Sequence, residues 1–162
     1  MKTIEISISR EAVMAAVAEA ALFTGHRLPA SENDPAEIRV ERVRTAANDS
    51  LLLARYWEEA ASILAIRLKD HLLKSDFGGE SLEIILSLSN FYDDTQTPSL
   101  RASLFSFMED AIISRWFRVT LPSESLLYSA EAERLLTEAE RRLCHRLPPQ
   151  RRFNHADNRN QS

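Results

Sequence analysis

Ile4, Ile6 and Ile8 alternate with Glu5, Ser7 and Ser9. That period of two predicts a half-buried strand. Ser9 then stands where a helix N-cap belongs, since its hydroxyl can accept a free amide of the next turn. The helix expected over residues 10–24 puts Val13, Ala16, Val17, Ala20 and Thr24 on one face, with Gly25 as its stop. Pro29, Asn33, Asp34 and Pro35 mark a loop. Ile38, Val40 and Val43 are spaced irregularly, so residues 36–48 read either as an extended segment or as a helical approach to the next element. A second helix, capped by Asn48 or Asp49 and running to about residue 74, carries Leu53, Trp57, Ala60, Leu64, Leu68 and then His71 or Leu72 at steps of three and four.

Residues 75–79, ending in Gly78 and Gly79, form a turn. Leu82, Ile84, Leu86 and Leu88 then alternate with more polar positions and predict a second strand, with Ile85 adding partial burial on its other face. The simplest partner for it is the strand over residues 2–8, although another copy of the chain could pair with either edge. Thr97 and Pro98 start a third helix. Leu100, Leu104, Met108, Ala111, Ile112, Arg115 or Trp116, and Val119 form its face, and Phe105, Phe107, Ile113 and Phe117 widen it. A helix so broadly apolar is either central or has a second buried surface in an assembly. Leu121, Pro122 and Ser123 break that helix, and a fourth starts near there, its seam running through Tyr128, Ala132, Leu135, Leu136, Ala139, Leu143 and Leu147 until Pro148 and Pro149 stop it. The expected fold is mainly α: a single helical domain over residues 1–147, built as a four-helix bundle with two short β-strands, followed by a basic polar arm over residues 148–162.

Charge divides the chain unevenly. Residues 141–162 hold six arginines against one acid, Asp157, a net +5; residues 1–140 therefore carry −9 of the chain's total of −4. An acidic body with a basic arm reads as a part that docks onto something else. The three glycines, Gly25, Gly78 and Gly79, leave no material for a phosphate-cradling loop. The single Cys144 excludes an internal disulfide framework and fits a reducing compartment. No apolar run approaches the ~18 residues of a membrane span. The expectation is a soluble protein with no membrane contact.

No pattern for catalysis stands out. His26, His71, His145 and His155 lack a helical metal-binding spacing, so no metal or cofactor is expected. Cys144 and His145 are neighbours on a helix and point about 100° apart, which does not make a nucleophile–base pair. Glu58 with Glu59, Glu109 with Asp110, and the acids from Glu124 to Glu140 read as solvated helix surface. Glu138 with Arg142, and Glu131 with Arg134, are spaced for ion pairs. The chain is not expected to be an enzyme. The candidate partner-binding residues are Arg141, Arg142, Arg146, Arg151 and Arg152 of the arm, with Trp116 and Phe117 as aromatic interface anchors. The arginines could also neutralise phosphates, whereas basic residues in the last turns of a helix also complement its dipole.

Three groups of residues carry a family resemblance: Tyr56-Trp57-Glu58-Glu59-Ala60; Arg115-Trp116-Phe117 with the following Pro122; and the ending Arg146, Pro149, Arg151 and Arg152. With the layout from Ile4 to Arg152, the chain resembles small virion structural proteins of Bacteroides-type tailed phages and prophages. The resemblance implies a head–tail connector, adaptor or neck-type subunit, made in the bacterial host cytoplasm and placed in the virion. It also implies a helical bundle assembled as a homo-oligomeric ring against portal, capsid or tail proteins, with no catalytic residues. The alternative is a small cytoplasmic adaptor or regulator that contacts nucleic acid, DNA in particular, through the arm.

Overall fold

A computed structural model describes residues 1–29 and 35–148. The fold is mainly helical. Among the described residues there are five α-helices and three β-strands: β1 (Lys2–Ser9), α1 (Arg10–Arg27), α2 (Ala36–Val43), α3 (Ser50–Arg67), β2 (Leu72–Asp76), β3 (Ser81–Leu88), α4 (Thr97–Thr120) and α5 (Pro122–Leu143). Most of the loop expected at residues 29–35, and the arm beyond residue 148, lie outside the described residues. No helix among them is long and apolar enough to cross a membrane.

The expected pairing of the two alternating segments is present. β1 and β3 run antiparallel, with Ile4 opposite Leu86, Ile6 opposite Ile84 and Ile8 opposite Leu82. Because side chains alternate faces, this register gathers all six on one side of the sheet, where they are buried. On the other face Ser7 and Ser81 each donate to Glu83 at 2.6 Å. These two bonds hold the Glu83 carboxyl below its ordinary range.

Two expected helices end early, and both lose their last turn to β-pairing. The second expected helix, α3, stops at Arg67, and residues 72–76 instead form β2 on the free edge of β3, giving the order β1-β3-β2. A bulge between Leu72 and Lys74 leaves Leu73 exposed. The last helix, α5, stops at Leu143 rather than residue 147. Its end tightens through Cys144 N–H to Arg141 O and His145 N–H to Arg142 O, after which Arg146 bridges to Tyr92. The segment left open, residues 36–43, is helical. So the sheet has three strands where two were expected, and a short helix joins the four expected ones.

Gly25 does not stop α1. It lies inside the helix, buried, and no described glycine has a positive φ. A Cβ there would sit 3.1 Å from the Val40 Cα, so the glycine serves the close crossing of α1 and α2. Ser9 does cap α1, accepting from Ala12 N–H at 3.2 Å.

Helix α4 is the hub: it touches α1, α2, α3, α5 and β1. A single residue, Leu121, separates it from α5, so the two fold back on each other. Ser125 Oγ donates to Ser114 O at 2.8 Å, and the Phe117 and Tyr128 rings meet edge to face at 5.3 Å. The broad apolar circumference read in the sequence is thus used up mostly inside the molecule. Both tryptophans are buried with their indole N–H satisfied: Trp57 donates to Phe77 O at 3.1 Å and Trp116 to Val43 O at 2.6 Å.

Candidate functional site

The basic segment begins where α5 ends. The dipole and the spacing put Arg141 and Arg142 in the last turn. Arg142 is already occupied. Its guanidinium binds Glu138 one turn back and donates to Gln96 Oε1 at 3.1 Å. Arg141 is exposed and flanks a shallow groove with Glu133, Thr137 and Glu138. The chain then turns onto the loop after β3. Leu147 N–H donates to Phe91 O at 2.9 Å, and the His145 Nδ1 lies 3.7 Å from an Asp93 carboxylate oxygen. Asp93 in turn accepts from Thr95 Oγ1 and Thr95 N–H, which hold its carboxyl below the usual range. Arg146 is exposed on this tethered strand. Of the five arginines singled out, Arg141 and Arg146 therefore face solvent, Arg142 is held internally, and Arg151 and Arg152 lie outside the described residues.

The two aromatic candidates are placed differently. Phe117 is fully buried and Trp116 is 6% exposed. Their rings hold α4 to α5 and to the end of α2, so they act as core residues and offer no surface to a partner. The exposed apolar side chains at that end of the molecule are Val119, Leu126 and Leu127, around the α4–α5 turn.

Ion pairs stitch α3, α4 and α5 together. Arg67 grips Glu140 with two parallel bonds, 2.8 and 2.9 Å, and reaches Glu133 at 2.7 Å. Arg115 donates to Glu59 at 2.7 Å, and Arg55 donates to the other Glu59 oxygen at 3.0 Å. Arg134 binds Glu131 and Glu138, as the spacing predicted for the first. The Glu59 and Glu140 carboxyls are held below their usual range, chiefly by hydrogen bonds from Arg115 and Arg67 respectively.

One acidic pair breaks this rule. Glu109 and Asp110 were expected on solvated surface, yet both are half-buried. Burial, then Glu19, pushes the Glu109 carboxyl up. Burial, followed by Glu109 and Glu131, raises Asp110 to about 7 against a partial pull downward from Arg134. Glu19 and Glu109 flank an open groove of about 590 Å³ between α1 and α4, floored by Ala16, Ala20, Leu22 and Phe23 and edged by His26. Arg27 lies over the Phe23 ring, 5.4 Å from its centroid. The sequence held a signal for this: Glu19, Glu109 and Asp110 each lack a cation three or four residues away on their own helix.

Among the described residues no group of histidine, cysteine, aspartate and glutamate side chains could hold a metal ion. Cys144 is exposed and unbridged. No protein-family model, curated protein or solved structure matches this chain.

Proposed function

We propose that this protein is a structural subunit of a phage or prophage particle, of the head–tail connector or adaptor kind, and that it works by forming interfaces. The observation that carries the reading is the incomplete charge balance of the surface. Ion pairs join α3 to α4 and α5, whereas in the α1–α4 groove the half-buried Glu109 has another acid, the exposed Glu19, as the charge that shifts it. Burying charge without compensation is costly, and a protein that assembles can recover that cost from its neighbour. The basic arm supplies charge of the opposite sign from the same chain. The resemblance to small virion proteins supports the same class. In this reading the helical body forms a homo-oligomeric ring, and Arg141, Arg146, Arg151 and Arg152 meet portal, capsid or tail subunits.

Light scattering on the full chain, alone and mixed with portal, capsid and tail proteins of a tailed phage, tests the reading. The expected result is a ring, formed alone or on a partner. A strictly monomeric chain that binds none of them contradicts it. Tight, salt-sensitive binding to duplex DNA without any such assembly favours the nucleic-acid adaptor instead.

A further inference from the structure

The α1–α4 groove has the chemistry of a seat. Its floor is apolar, its rim carries Glu19 and Glu109 with His26, and Phe23, its ring partly covered by the Arg27 guanidinium, is 60% exposed. An occupant that matches it must bring cations beside a ring or an aliphatic side chain. The basic arm contains such a run: Arg151, Arg152 and Phe153.

The position of the arm decides between its own groove and a neighbour's. The arm departs at Pro148, next to Phe91 and Tyr92, below the start of α4. Glu109 lies twelve residues along α4 from Thr97, which is about 18 Å at the helical rise. Five residues from Pro148 to Phe153 span about 17 Å when fully extended. In its own molecule the backbone of the run would have to be almost fully extended along α4 to reach the level of Glu109. A second copy has no such restriction.

We propose that the α1–α4 groove receives residues 151–153 of a second copy of this chain, with Arg151 and Arg152 meeting Glu19 and Glu109 and the Phe153 ring covering Ala20 and Phe23. This rests on the reading of the protein as an assembling subunit and names the contact that joins its copies. Each copy offers one arm and one groove, so the contact closes a dimer when reciprocal and a ring when it runs head to tail. The raised Glu109 carboxyl fits an acid that meets its cation only on assembly.

Sedimentation of the full chain and two charge variants tests it. Arg151→Glu/Arg152→Glu reverses the arm. Glu19→Lys/Glu109→Gln reverses the rim without placing a lysine at the half-buried position. The wild-type chain is expected to self-associate. Each variant alone should associate at least about tenfold more weakly, because a close interfacial charge pair is broken. An equimolar mixture of the two should recover association, since every arm then finds a complementary rim in the other variant. Phe23→Ala, at an exposed site that leaves the fold untouched, should weaken association as well. Helical content measured by circular dichroism separates loss of contact from loss of fold.

A mixture that stays dissociated overturns the exchange between copies. A wild-type chain that is monomeric also overturns it, while binding of that monomer to a portal or tail protein would leave the structural reading standing. Assembly that persists unchanged in both variants removes this seat and leaves the subunit role intact.

Discussion

The two flanks of α4 carry the same kinds of side chain and treat them in opposite ways. On the α3 side Glu59 is gripped by Arg115 and Arg55, and nearby Glu140 is gripped by Arg67 from both oxygens. On the α1 side Glu109 faces Glu19, and its neighbour Asp110 is raised by burial, by Glu109 and by Glu131 of α5, with Arg134 of α5 pulling the other way. Glu59 and Glu140 are held low, and Glu109 and Asp110 are pushed high. The contrast separates a surface that folding completes from one that folding leaves open. Paired charges fix the relative placement of α3, α4 and α5. Unpaired ones cost stability in the isolated chain, and that cost is reason to look for a neighbour.

Three substitutions break or sharpen this contrast. The largest effect belongs to the frame that both flanks share. Phe117→Ala removes a fully buried ring packed on Tyr128 and should destabilise the fold by about 3–5 kcal/mol, read by urea denaturation. Next comes the paired flank. Arg67→Ala frees Glu140 and Glu133 and should cost about 1 kcal/mol, the scale of a partly exposed pair with good bidentate geometry. The folded Glu140 carboxyl is held low, so this contribution is present above the ordinary carboxyl range. It is lost as pH falls through the depressed folded value, and the wild type and the variant should converge in acid.

The third effect has the opposite sign. Asp110 has its folded value raised from 3.8 to about 7. Across that window the folded chain binds the extra proton, so stability falls as pH rises through it. Asp110→Asn removes the penalty. The variant should melt higher than wild type at about pH 8 and show little difference at about pH 4, where the wild-type carboxyl is protonated when folded. A variant that melts lower at both values would place Asp110 among the stabilising charges and erase the contrast.

How far the sequence carries depends on whether a signal is local. The Ile4-Ile6-Ile8 and Leu82-to-Leu88 alternations were legible as strands, because period two with a single buried face is a local signal, whereas their register, Ile4 opposite Leu86, was not. The cap at Ser9 and the ion pairs of Glu138 with Arg142 and Glu131 with Arg134 were legible for the same reason. Both helix ends were overrun, and the cause is shared. Leu72 lies four residues past Leu68, and Leu147 four past Leu143. Each continues the helical stripe by one step, although the backbone there has gone to pair with β3 or with Tyr92. Spacing along the chain cannot register a strand edge waiting elsewhere. Trp116 and Phe117 show a related gap. An adjacent aromatic pair on a helix reads as one ring inward and one outward, but α5 covers one side and the end of α2 the other. The acidic groove needed α1 and α4 side by side before Glu19 and Glu109 could be seen to share a site.

The contrast between the flanks can be measured directly by carbon-detected NMR titration of the individual carboxyl groups. The account predicts Glu59 and Glu140 below the ordinary carboxylate range, Glu109 above it, and Asp110 near 7. All four titrating together within the ordinary range would contradict it.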